Sequence, residues 1–175
     1  VLYRPARQAA LGEVMALARN RPGLQAVPTN LSGVRQMIKA LRAGQAVGLL
    51  PDQVPPEGMG VWAPFFGRPA YTMTMAAKLV AQTGCAVVLM RGERLGAWAR
   101  WRRGCEYVVH AERVPPLDAA GLAMVDTAQS TSTLNRLMER VIMQAPEQYL
   151  WGYNRYKGPR AEALTSSDVK GGTGA

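Results

Sequence analysis

Along the first forty residues the apolar positions change period twice. "VLYRP" reads as the end of a strand, stopped by Pro5. In "ARQAALGEVMALARN" the residues Ala9, Val14, Leu17 and Ala18 share one helical face despite Gly12. "RPGLQAVPTN" is a connection with a short extended piece at Gln25 to Val27. The pattern predicts a second helix after Asn30 or Ser32 as N-cap. Its apolar residues Val34, Met37, Ile38 and Leu41 repeat at helical spacing, basic residues collect near its end, and Gly44 suits the C′ position.

Beyond Gly44 the helical period stops. "AVGLL" is a short continuous apolar run, the signature of a strand covered on both faces. A loop rich in Pro and Gly follows, with "GMG" at Gly58 to Gly60 as a flexible stretch. "TMTMAAKLVAQTG" predicts a helix opened by a Thr cap and closed by Gly84, and "CAVVLMRGER" a buried strand turning amphipathic at Arg91. "AWARWRRG" alternates aromatic with basic residues and then turns, "CEYVVHAERV" is a further strand, and "PPLD" is a stop followed by a helix start. The strongest helix carries Leu134, Leu137, Met138, Val141 and Ile142 on one stripe, opposite Asn135, Arg136, Glu139 and Arg140, and ends at Pro146. Strands alternating with helices define an α/β protein, with a mostly parallel central sheet flanked by helices.

The 175 residues fit one domain, and 48% hydrophobic with 19% charged residues is the balance of a globular chain. The expected division is a domain over residues 1–157 and a disordered tail over 158–175, rich in Ser, Gly and Thr. A formal net charge of +9 implies an acidic partner, whether nucleic acid, an anionic membrane surface or an acidic substrate. No apolar run approaches the roughly 18 residues of a membrane span, and no signal peptide is visible. The start without Met, already in strand-like sequence, reads as part of a longer protein.

Several chemistries drop out. Two cysteines without a Cys/His cluster give neither a zinc site nor a disulfide framework, and Cys85 reads as a small buried thiol. His110 is the single histidine and lies mid-strand, so no Ser-His-Asp or Cys-His arrangement can be built. There is no P-loop and no G-x-G-x-x-G, and nothing calls for a metal or cofactor. Asp52 stands out by position, just past the end of an apolar strand, where α/β sheets place ligands. A turn Asp capping its own backbone is the plainer alternative. "WARWRRG" and "WGYNRYK" each fit a nucleic-acid patch, a solvated surface with snorkelling arginines, or the edge of a membrane surface.

Taken together, "RAGQAVGLLPDQ", "FFGRPAYT", the "GCAVV" strand and "APEQYLWGYNRYK" resemble the late acyltransferases of lipid A biosynthesis, the lauroyl/myristoyl type within the lysophospholipid acyltransferase superfamily. The resemblance covers about Val1 to Lys157 and is specific through the combination of its two anchors, "DQ…FFG.PA.T" and "PEQYLW..NR.K". It implies transfer of a fatty acyl chain from acyl carrier protein to a hydroxyl of a phosphorylated lipid A precursor. The place would be the cytoplasmic face of the bacterial inner membrane. The family's H-x-x-x-x-D/E motif and its N-terminal anchor lie upstream of the "YRP" strand, so this chain alone is expected to be inactive.

The resemblance also implies roles. Arg21, with Arg19 if the match slips by two, corresponds to the active-site arginine that would steady an oxyanion or a phosphate. Asp52 would orient that arginine or the acceptor sugar, and Gln53 would bond a hydroxyl or amide. Phe65 and Phe66 would wall the acyl chain. Arg155 and Lys157 would meet lipid phosphates, with Trp151 and Tyr153 at headgroup depth. Three other readings compete. A glycerophospholipid acyltransferase would carry an "EGTR"-like block where this chain reads "PDQVPPEGMG". A nucleic-acid-binding module would show an RRM, KH or OB pattern, and none is legible. A degenerate, non-catalytic relative is the third.

Overall fold

The computed structural model describes residues 2–3, 23, 25, 27–28, 31–124 and 126–160. Strand β1 (Leu2–Tyr3) pairs in parallel with β2 (Val27–Pro28), and helix α1 (Leu31–Arg42) follows. Gly44 closes α1 as expected from its position. Its φ is 74°, its N–H reaches Leu41 O at 3.1 Å, and Gln45 N–H reaches Ala40 O at 2.9 Å. These are the two bonds of a Schellman motif, which needs a residue at ease in the left-handed region.

"AVGLL" forms no strand. It is an extended segment in which Val47 and Leu49 lean on Val27, Met37 and Leu79 while Leu50 is exposed. The Pro- and Gly-rich loop instead contains a hairpin, β3 (Gly60–Phe65) with β4 (Arg68–Met73), antiparallel from Gly60↔Met73 to Phe65↔Arg68. Its two-residue turn is Phe66-Gly67, with φ 47° and 73°, the primed geometry that matches strand twist. Helix α2 (Met75–Thr83) starts after Thr74, later than expected, and Thr72 stays in β4. Gly84 ends α2 with φ 63° and its N–H on Val80 O, as the sequence predicted.

Strand β5 (Val88–Arg94) pairs antiparallel with β6 (Tyr107–Arg113), and between them "AWARWRR" is helix α3 (Ala97–Arg103) rather than a turning hairpin. Helix α4 (Pro116–Leu122) opens with Pro at its first position, and α5 (Thr127–Ile142) is capped by Asp126, whose side chain accepts from Ala128 N–H at 2.8 Å. A single 3₁₀ turn, Pro146–Gln148, leads into the last described segment. The class is α/β. Among the described residues the one parallel pair is β1–β2, while β3–β4 and β5–β6 are antiparallel hairpins and not a continuous parallel sheet.

Helix α5 organises the core. Leu134 and Leu137 pack with Val80, Val114 and Leu122, with Leu89 and the half-buried Cys85 against them. Met138 and Ile142 pack with Phe65 and Ala70. A third cluster joins α1 to α2 through Met37 and Leu79. Gly121 allows α4 to approach α5, since a Cβ there would meet Thr133 Oγ1 at 3.1 Å. Part of the expected tail is in the fold, because Arg160 O accepts Glu57 N–H at 3.1 Å. The rest of that tail, like the helix expected over residues 6–20, lies outside the described residues.

Candidate functional site

The β3–β4 hairpin is built from the bottom by close backbone contacts. Tyr71 Oη accepts from Gly58 N–H at 3.0 Å and from Gly60 N–H at 3.2 Å, so "GMG" is tied down instead of loose. A Cβ at Gly60 would sit 2.6 Å from Thr72 O, which only glycine avoids. On the other face Asn135, expected on the polar side of α5, is fully buried and donates to Pro64 O at 2.8 Å and to Thr72 Oγ1 at 3.1 Å. Glu139 Oε1 accepts Phe66 N–H at 2.7 Å and holds the turn. One polar residue inside an apolar stripe is placed by its hydrogen bonds.

The segment after α5 then packs onto this hairpin. Tyr156 Oη donates to Phe65 O at 3.1 Å, and Arg68 stacks on the Tyr156 ring at 4.3 Å. Arg155 reaches inward. It is 3% exposed, with Nη1 on Tyr71 O at 2.8 Å, Nη2 on Thr72 Oγ1 at 2.7 Å and its guanidinium 5.3 Å from the Phe65 ring centre. Its Nε is buried with no hydrogen-bond partner. Burial lowers the Arg155 pKa, opposed by the Tyr149 and Tyr153 hydroxyls and then by Asp52. The same pocket raises Tyr149, first through burial and then through the Asp52 charge.

Asp52 itself is half-buried in the turn after Pro51, and among the described residues its carboxylate accepts no hydrogen bond. It faces Arg155 and Tyr149 electrostatically without pairing with either. Its loop is fastened at the next step, where Val54 N–H donates to Tyr153 Oη at 2.9 Å. Lys157 Nζ lies 4.5 Å over the Tyr153 ring and its side chain is exposed, as is that of Gln53.

The two stretches that stood out in the sequence therefore meet. Arg155 is an internal cation, 3% exposed, with Nη1 turned to Tyr71 O and Nη2 to Thr72 Oγ1. Phe65 is 1% exposed and fills the core instead of lining an open wall. Phe66 is half-buried at the hairpin tip, 5.8 Å from the exposed Trp151, which stacks edge-on against Tyr149 at 4.9 Å. Arg21 and Arg19, the expected neighbours of Asp52, lie outside the described residues. His110 is exposed and bonded to Glu93 at 2.7 Å, away from this cluster. Two surface hollows, of about 500 Å³ beside Arg100 and Trp101 and about 560 Å³ beside Arg136 and Arg140, do not border Asp52.

Sequence reasoning missed Thr72, Tyr71 and Asn135. The signal for the hairpin was Phe66-Gly67 between segments of matching length; Pro64 and Pro69 directly opposite one another hid it.

The Asp52 loop is fastened to the Tyr149–Lys157 segment by Val54 and Tyr153, and the hairpin by the buried Thr72–Arg155 bond. The family model for bacterial lipid A biosynthesis acyltransferases matches residues 1–158. The chain belongs to that family. It is 27% identical over 156 residues to the lipid A biosynthesis palmitoleoyltransferase of Escherichia coli (strain K12), covering 89% of this chain and 47% of that protein. The lipid A biosynthesis acyltransferase of Shigella flexneri gives the same 27% over 156 residues, with the same 89% and 47% coverage. The lipid A biosynthesis lauroyltransferase of Escherichia coli (strain K12) is 30% identical over 134 residues, covering 76% of this chain and 40% of that protein. The chain thus spans about half the length of the curated relatives it matches.

Proposed function

We propose that the protein is a lipid A acyltransferase that moves a fatty acyl chain from acyl carrier protein to a hydroxyl of a phosphorylated lipid A precursor. One observation carries this function. The Asp52 loop and the Tyr149–Lys157 segment, the two family anchors, are locked together by Val54–Tyr153, Thr72–Arg155 and Phe65–Tyr156. Among the described residues the Asp52 carboxylate accepts no hydrogen bond, the Tyr153 that fastens its loop carries the exposed Lys157 over its ring, and Phe66, Trp151 and Tyr149 form a cluster of partly open rings.

Attack of an acceptor hydroxyl on a thioester needs a base to take its proton and donors for the oxyanion that forms. In this proposal the base is the histidine of the family's H-x-x-x-x-D/E motif, upstream of the "YRP" strand. Asp52 orients Arg21 or the acceptor sugar, and Gln53 bonds a sugar hydroxyl or amide. Lys157 meets an acceptor phosphate, a role Arg155 is too buried to share. Phe66 with Trp151 and Tyr149 guides the acyl chain, while Phe65 supports Phe66 from beneath at 4.8 Å between ring centres. The setting is the cytoplasmic face of the bacterial inner membrane. Among the described residues no helix is long and apolar enough to cross a membrane. The fold that goes with this function is a mostly parallel sheet flanked by helices; the parallel pair among the described residues is β1–β2.

The test is acyl transfer from acyl carrier protein to a lipid A precursor by the full-length protein, its Asp52→Asn variant and the 175-residue chain alone. The expected result is turnover only by the first. Equal turnover by Asp52→Asn, or a preference for glycerol phosphate acceptors, would overturn the assignment.

A further inference from the structure

Helix α3 and the strands it connects present a surface that the acyl-transfer site does not use. The β5–β6 register sorts the hairpin's side chains into two faces. Leu89, Arg91 and Glu93 with Glu112, His110 and Val108 form one face, and it packs toward α5: Leu89 joins the core, Arg91 Nε donates to Gln144 at 2.9 Å and Glu112 pairs with Arg140 at 3.0 Å. The other face holds Val88, Met90, Tyr107 and Val109, all more than half exposed, with Arg94 and Arg113 at its two ends. Every carboxylate of the two strands lies on the first face. Gly92 sits in the middle of the open face, and a Cβ there would meet nothing within 4 Å. Nothing among the described residues covers it.

The connector adds charge and aromatic area. No residue of α3 is buried. Trp98 is 68% and Trp101 83% exposed, and their spacing of three puts both on one side of the helix. Arg100, Arg102 and Arg103 fill its last turn, and Arg102 stacks on the Trp98 ring at 5.4 Å. The single acid nearby, Glu106, makes only long, exposed contacts of 3.6 Å to Arg94 and Arg100. Two tryptophans left in water are costly, and indole rings beside arginines match the headgroup region of a bilayer, where a ring's apolar body and N–H are both satisfied. An apolar face whose rim is mostly cationic, with Glu106 its one acid, fits an anionic lipid surface and disfavours burial against a neutral protein face, where most of the arginines would lose water without a partner.

We propose that the open face of β5–β6 together with α3 docks on an anionic lipid bilayer. The apolar row enters the headgroup and upper acyl region, and the arginines meet lipid phosphates. This surface is separate from the Asp52 site and does not depend on what that site acylates.

The test uses the full-length protein in which tryptophan is kept only at position 98 or 101, with Phe elsewhere. It is mixed with vesicles of phosphatidylcholine and phosphatidylglycerol whose acyl chains are brominated. Emission from both positions should be quenched, less so as salt rises. Replacing Arg100, Arg102 and Arg103 by Gln should weaken the quenching-detected partition about five-fold for each arginine removed. Gly92→Leu should strengthen it with an unchanged urea unfolding midpoint, which separates the gain from misfolding. Vesicle-bound protein with unquenched Trp98 and Trp101 overturns the proposal. Protection of both rings from aqueous iodide without lipid would show instead that another protein segment covers the face. Tighter binding to single-stranded RNA or DNA at the same salt would reassign the surface to nucleic acid. Transfer to a detergent-dispersed acceptor, measured on the same variants, reads the acyl-transfer function separately.

Discussion

Arg155 Nη2 donates to Thr72 Oγ1 at 2.7 Å across 83 residues of sequence, and this bond joins the carboxyl-terminal segment to the hairpin that carries the aromatic pair. Thr72 in turn accepts from Asn135 Nδ2 at 3.1 Å and can donate to Ala70 O at 3.1 Å, so one hydroxyl is fully used among three elements. Arg155→Met should therefore cost about 3 kcal/mol of stability, since it leaves Tyr71 O and Thr72 Oγ1 short of a charged donor. Arg155→Lys should recover less than half of that, because an ammonium cannot span both acceptors as a planar fork does. Urea unfolding of the two variants checks this. A variant as stable as the parent would return Arg155 to a surface role.

Asp52 contrasts with Arg155, being half-buried and free of hydrogen bonds among the described residues. Its removal should leave the unfolding midpoint nearly unchanged and lower kcat/KM by about 10²-fold, the scale on which misplaced reacting groups act. The loop is held by Val54 N–H on Tyr153 Oη, so Tyr153→Phe should lower turnover through the same loop while keeping the ring under Lys157. Steady-state kinetics beside denaturation separates the roles. Loss of stability and turnover in equal measure for Asp52→Asn would make it a structural residue.

Tyr71 and Gly60 set the end of the hairpin away from its turn. Tyr71→Phe strands the Gly58 and Gly60 N–H groups and should cost about 2 kcal/mol. Gly60→Ala drives a methyl into backbone Thr72 O and should cost about 3 kcal/mol or more. Gly92→Ala, with open space above it, should change stability by no more than about 0.5 kcal/mol. Thermal unfolding of the three in parallel decides it, and similar effects at Gly60 and Gly92 would refute the close contact.

What the sequence made legible follows from how local each determinant is. Gly44 and Gly84 were assigned from position because a C′ residue answers to its own helix end. The α5 stripe was legible for the same reason, since Leu134, Leu137, Met138 and Ile142 repeat at helical spacing. Asn135 was misassigned to solvent because its partners, Pro64 O and Thr72, stand more than 60 residues away. The fate of "AVGLL" was also non-local, since an apolar run becomes a strand only where a neighbour offers its edge. Arg155 shows the same limit at the site. Position beside Tyr and Lys suggests a surface, and only the fold reveals two inward acceptors.

Glu93 is the carboxylate of the β5–β6 hairpin from which an acid-side pH dependence is expected. Its carboxylate lies 3.1 Å from Arg91 Nη1 and 2.7 Å from His110 Nε2, and the Arg91 hydrogen bond, then that of His110, hold its pKa below the ordinary value. A carboxylate depressed in the folded state adds stability that is fully present above its unfolded pKa, about 4.3. That contribution is lost as pH falls through the lower, folded value. The group is at the surface, so salt should reduce the effect. Glu93→Gln should therefore flatten the acid limb of the stability profile below about pH 4.3 and leave it unchanged near neutrality apart from a constant offset. His110→Ala should keep most of the limb, because Arg91 is the larger cause. Urea midpoints from pH 3 to 7 for the full-length protein and both variants make the comparison. An acid limb unaltered by Glu93→Gln would place the pH dependence in other carboxylates, and one abolished by His110→Ala would reverse the order of the two partners.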